Sequence, residues 1–144
     1  MKVRDGMSDV VLTVGPGHTL RDAARLMARR QVGAAVVVDP DGPGIGIITE
    51  RDLLEAIGAG QDPDTEQVGA HQSTGTVYAA PDWSLEEAAV AMVHGSFRHL
   101  VVTEAGEVAG IVSMRDIVRA WTADGSICDV PASAGPATSA PVTA

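Results

Sequence analysis

Twice the chain sets a hydroxyl three positions before a carboxylate at the head of an apolar-patterned segment: Thr49-Glu50-Arg51-Asp52 and Ser113-Met114-Arg115-Asp116. Where such a pair opens a helix, Thr49 and Ser113 take the N-cap. Free backbone N–H groups and the positive end of the helix dipole then favour an anion such as phosphate. Asp52 and Asp116, one turn in, are acceptor-only carboxylates suited to hydroxyl donors. The same spacing is also that of a capping box, in which the carboxylate only closes the helix end. Thr19-x-x-Asp22 and Ser84-x-x-Glu87 are two further examples. Spacing alone leaves both uses open. Arg98 and His99 add a planar cationic fork suited to bidentate phosphate contact and a ring that titrates near neutrality. A solvated Arg98, or one paired with Glu104 or Glu107, is the plainer alternative. Arg51 and Arg115 stand beside the two Asp residues, where an exposed helix Arg ordinarily serves solubility.

Catalytic and metal chemistry finds no support in the residue pattern. His18, His71, His94 and His99 show no metal-ligand spacing. There is no nucleophile elbow, no phosphate-binding loop ending in Lys-Ser/Thr, and no base placed for Cys128. Gly42-Pro43-Gly44-Ile45-Gly46 precedes a strand rather than a helix, so its glycines read as turn chemistry. The expectation is a protein that is not an enzyme, with no catalytic residue and no metal.

Composition narrows the partners. Nineteen acids against ten bases give a net charge of −9, which repels phosphate backbones and anionic lipid and argues against nucleic acid. The longest apolar run, Val32 to Val38, falls far short of the ~20 residues of a membrane span, and Met1–Val10 has no secretory pattern. A lone cysteine excludes an internal disulfide and suits the cytoplasm. Tyr78, Trp83, Phe97 and Trp121 are the only aromatics, so the core must be aliphatic.

The elements that position these residues are repeated. Val3 matches Val68, Ser8 matches Ser73, Leu20 matches Leu85, Met27 matches Met92, and Val36-Val37 match Val101-Val102. The spacing then shortens by one residue in the turns, after which Gly46-Ile47 match Gly110-Ile111 and Arg51-Asp52 match Arg115-Asp116. Each copy predicts an extended segment (Val10–Val14; Thr76–Ala79) and a capped helix running to Arg30 or His94. A hairpin follows (Ala35–Val38 with Ile45–Ile48; Leu100–Thr103 with Val108–Val112), and a last helix begins at Thr49 or Ser113. The fold class is α+β, with two β-α-β-β-α units over residues 3–57 and 68–121. Residues 58–67 have linker composition, and residues 122–144 have that of a disordered tail.

These residues resemble a known family. Gly46-Ile47-Ile48-Thr49-Glu50-Arg51-Asp52 and Gly110-Ile111-Val112-Ser113-Met114-Arg115-Asp116, inside a repeated β-α-β-β-α unit, are similar to a tandem pair of CBS domains (a Bateman module), and the absence of further chain resembles the small stand-alone members. Phe97-Arg98-His99-Leu100-Val101-Val102 and Val32–Val37 support the match, with Val36 and Val101 standing where the family usually has Pro. The resemblance implies two repeats packed about a pseudo-twofold axis, clefts between their sheets, and a homodimer. It implies a regulatory module sensing an adenosine-type ligand (AMP, ATP or S-adenosylmethionine, with no resident cofactor) and passing that state to a protein partner. Asp52 and Asp116 would hold ribose, and Thr49, Ser113, Arg98, His99 and Arg115 would meet phosphate. Thr13, Val14, Tyr78, Val36 and Val101 would frame adenine, although most of these suit a core equally well. The first copy has Gly33 and Ala34 where the second has Arg98 and His99, so the two sites should be unequal. A structural or protein-interaction dimer without nucleotide remains the alternative.

Overall fold

The computed structural model describes residues 1–42, 44–74 and 77–125. Pro43, the expected strand start at Thr76, Cys128 and the rest of the tail from residue 126 lie outside the described residues. Helix α1 (Val3–Gly6), β1 (Thr13–Val14), α2 (Leu20–Arg30), β2 (Ala34–Val38), β3 (Ile45–Thr49) and α3 (Glu50–Gly58) make the first half. Helix α4 (Val68–His71), β4 (Tyr78–Ala79), α5 (Leu85–Gly95), β5 (His99–Glu104), β6 (Glu107–Ser113) and α6 (Met114–Ala123) make the second. The sheets are β1-β2-β3 and β4-β5-β6, each with a parallel pair followed by an antiparallel hairpin. This is the expected α+β repeat. Helix α6 runs to Ala123, so Thr122 is helical and its hydroxyl bonds back to the Val118 and Arg119 carbonyls rather than opening the tail.

All four hydroxyl-x-x-carboxylate patterns close as capping boxes, at Thr19/Asp22, Thr49/Asp52, Ser84/Glu87 and Ser113/Asp116. Strand β2 is buried from Ala34 through Val37 because both faces of its sheet are covered. Ala35, Val37 and Ile48 pack with Leu20, Ala23 and Met27 of α2. On the opposite face Ala34, Val36 and Ile47 meet Val101 of the second sheet. The sheets therefore lie face to face about the pseudo-twofold axis, with helices outside.

The short helices α1 and α4, without periodicity or a hydroxyl or carboxylate at the N-cap, were not legible in the sequence, and each packs on the other half. Val3 is wholly buried in the core of the second half, beside Leu85, Met92 and Ile117. Its N–H donates to the Trp83 carbonyl at 2.7 Å. Arg4 and Lys2 pair with Asp82, and these bonds, the one from Arg4 first, hold the Asp82 carboxyl below its usual range. Val68 is buried in the core of the first half, and its N–H donates to the His18 carbonyl at 2.8 Å. The chain after each helix reaches the partner half's last strand. Ser8 exchanges backbone bonds with Ile111 at 2.9 and 3.0 Å, and Ser73 with Ile47 at 2.9 and 3.0 Å. Gly110 and Gly46 make these crossings possible. A Cβ on Gly110 would sit 2.6 Å from the Ser8 carbonyl oxygen, and one on Gly46 would overlap the Gln72 side chain.

Candidate functional site

Two clefts open where the halves meet. The first, about 420 Å³, takes Thr49, Arg51 and Asp52 from the start of α3 and Ser96, Phe97, Arg98 and His99 from the second half, with Ile47, Val77 and Val101 as an apolar wall. The second, about 900 Å³, takes Ser113, Arg115 and Asp116 from the start of α6 and Gln31 through Ala34 from the first half, with Arg98 and His99 again on its border. A helix N-terminus of one repeat thus faces the β-strand entry of the other in both clefts. The positive dipole end and an acidic side chain come together at each.

The carboxylates are partly engaged. Asp52 Oδ2 accepts from the Thr49 N–H at 2.8 Å and the Thr49 hydroxyl at 3.0 Å, while Oδ1 has no hydrogen-bond partner among the described residues. Asp116 Oδ2 accepts from the Ser113 N–H at 2.8 Å, and its Oδ1 lies 3.6 Å from Arg119. Capping therefore leaves Asp52 half free and Asp116 contested by a cation. Arg51 donates to the Ser96 carbonyl across the first cleft at 3.3 Å. Arg98 is exposed and, among the described residues, has no ion pair with Glu104, Glu107 or any other carboxylate. His99 is half-buried, and burial lowers its pKa below the ordinary 6.5 even though Glu50 and Asp116 pull it upward.

The expected adenine set gathers mainly in the contact between the sheets rather than on the cleft walls, with Val36, Val101 and Tyr78 in one cluster and Thr13 in register with Val36. Val101 lines the first cleft, but Thr13, Val14, Val36 and Tyr78 line neither. Val14 is in the first core and Val36 in the contact between the sheets. Tyr78 packs in that same contact and donates its hydroxyl to the Ile45 carbonyl at 2.8 Å. Glu50 was missed by sequence reasoning although it lines both clefts. The available signal was that Met114 occupies its matched position. Among the described residues, no three of His, Cys, Asp and Glu come together as a metal site, and no helix is long and apolar enough to cross a membrane.

The CBS-domain model matches residues 3–59 and 68–123. The chain belongs to the CBS-domain family. This CBS pair is 36% identical over 116 residues to the CBS domain-containing protein YhcV of Bacillus subtilis, covering 80% of this chain and 81% of that one. Among solved structures it is similar to Hypoxic Response Protein I with two coordinated zinc ions, at 30% identity and a TM-score of 0.69 over 83% of this chain and 98% of that one. The CBS pair of MJ0100, in complex with 5′-methylthioadenosine and S-adenosylmethionine, shares the fold at a TM-score of 0.77 and 22% identity, covering 86% of this chain and 98% of that one. Pairs of CBS domains are generally regulatory modules rather than catalysts.

Proposed function

We propose that this CBS pair binds an adenosine-type nucleotide in the clefts between its repeats and signals occupancy to a protein partner. The supporting observation is the first cleft. It joins a half-free carboxylate at a helix N-terminus, an Arg98 from the opposite repeat that is unpaired among the described residues, and an apolar wall of Ile47, Val77 and Val101. Asp52 serves the ribose, Thr49 with Arg98 and His99 the phosphate, and the apolar wall the base. Asp116, Ser113 and Arg115 are the corresponding set in the second cleft. AMP, ATP and S-adenosylmethionine are the ligands of matching chemistry, and the ligands of the MJ0100 pair set the precedent for the class. We place the module in the cytoplasm as a homodimer, with the exposed Leu54 and Ile57 of α3 on the associating surface.

A thermal-shift panel with AMP, ADP, ATP, NAD and S-adenosylmethionine tests this proposal. Ligand at about 100 times its dissociation constant stabilises by ~2.7 kcal/mol, or roughly 5–10 °C here. A shift of that order with one ligand supports it. A flat panel at saturating concentrations overturns it in favour of a protein-interaction module.

A further inference from the structure

Glu50, Arg98 and His99 line both clefts, and all three are ionisable. Their matched positions in the other repeat hold Met114, Gly33 and Ala34, which line the second cleft alone. The polar divide between the clefts is therefore built once rather than twice. Glu50 and His99 converge over Gly33, where a Cβ would lie 3.0 Å from Glu50 Oε1 and 3.3 Å from the His99 ring. The Glu50 N–H donates to the Gly33 carbonyl at 2.9 Å, which fixes the start of α3 against this point. The charged groups facing His99 are Glu50 from α3, Asp116 from α6 and the adjacent Arg98.

We infer that Glu50, Arg98 and His99 form a shared wall that makes the two clefts compete for anionic ligand. A phosphate-bearing ligand in one cleft weakens a second in the other, whereas an uncharged ligand does not. The inference rests on the proposed adenosine-binding function and adds its regulation. One guanidinium fork can grip only one phosphate bidentately at a time. Once Arg98 is engaged on one side, the other cleft has lost that fork while the Glu50 carboxylate still lines it and repels an incoming anion. Adenosine, which makes no demand on Arg98, escapes this competition. Arg115 lines the second cleft alone and gives the first no replacement for Arg98. Arg51 is held by the Ser96 carbonyl, and Arg119 lies against Asp116.

Titration calorimetry of the full chain with AMP and with adenosine tests the wall. The expected result is two adenosine molecules per chain with similar affinities, and two AMP affinities that differ by on the order of tenfold, a usual size for coupled sites. In Arg98→Gln the tighter AMP site weakens and the two affinities converge. Arg98 is exposed and unpaired among the described residues, so the variant keeps its fold, which circular dichroism confirms. Equal AMP affinities in the wild type overturn the shared wall, as does a split that persists unchanged in Arg98→Gln or a single adenosine per chain. In each of those cases adenosine still binds and the proposed function stands. Absence of heat with both compounds overturns the shared wall, and a flat thermal panel beside it overturns the proposed function as well.

Discussion

Replacing Asp52 by Asn separates the helix-closing use of that carboxylate from its ligand-holding use, because the fold carries its own control. Asp22 closes the same box on α2, with its Oδ2 accepting from the Thr19 N–H at 3.2 Å, and it lines neither cleft. Asn at either position keeps one carbonyl oxygen for the N-cap N–H but loses the negative charge at the helix N-terminus. The stability cost at each is about 0.5–1.5 kcal/mol, from the dipole term and the weakened cap. The effects on ligand should diverge. A carboxylate gripping ribose hydroxyls through its free Oδ1 makes charge-assisted bonds of ~1.5–3 kcal/mol each, and an Asn amide nitrogen cannot accept. Loss of one such bond raises Kd by roughly 10- to 150-fold. Urea unfolding gives the first quantity and calorimetry with the ligand selected by the thermal panel gives the second. If Asp52→Asn and Asp22→Asn match in both stability and Kd, the carboxylate is a cap and nothing more.

Gly110→Ala drives a methyl into the Ser8 carbonyl and Met7, so overpacking and two disrupted backbone bonds should cost about 2–4 kcal/mol in urea unfolding. Gly58→Ala, with open space around its Cβ, should be neutral or slightly stabilising in the same assay. Ala105 sits at φ 53° in the β5–β6 turn, so Ala105→Gly should raise Tm by relieving about 0.5–1 kcal/mol of left-handed strain; an unchanged or lower Tm counts against that account. His99 has a folded-state pKa below 6.5, so the unfolded chain binds its proton more readily. Stability should therefore fall as pH drops below 6.5 towards the folded-state value, and His99→Gln should flatten this part of the profile of urea midpoint against pH.

The fold was readable in the sequence wherever it rests on local chemistry. The four capping boxes mark α2, α3, α5 and α6 through hydrogen bonds that close within four residues. The matched glycines before the last helices were visible as motif, but their reason lies in a crossing by a segment far away in sequence. Val3 and Val68 could be matched as equivalents, yet equivalence does not say which core each enters. Tyr78 was offered to adenine by the family resemblance, with core packing as the alternative, and its hydroxyl bonds to a backbone carbonyl of the other sheet. The mismatch between Arg98-His99 and Gly33-Ala34 was the most informative signal for the clefts. The same comparison applied one helix further on would have exposed Glu50.

The crossing of α1 and α4 bears on how such a module could arise. A single β-α-β-β-α unit alone would carry a wedge headed by Val3 or Val68 with nowhere of its own to put it, and an open slot that fits the wedge of a sibling. Two identical units would satisfy both needs only by mutual exchange, the geometry of a domain-swapped pair. The tandem chain is that pair joined end to end. The two halves differ, one carrying Glu50 with Gly33 and the other Met114 with Arg98, yet the exchanged wedges lock each half into the core of its sibling.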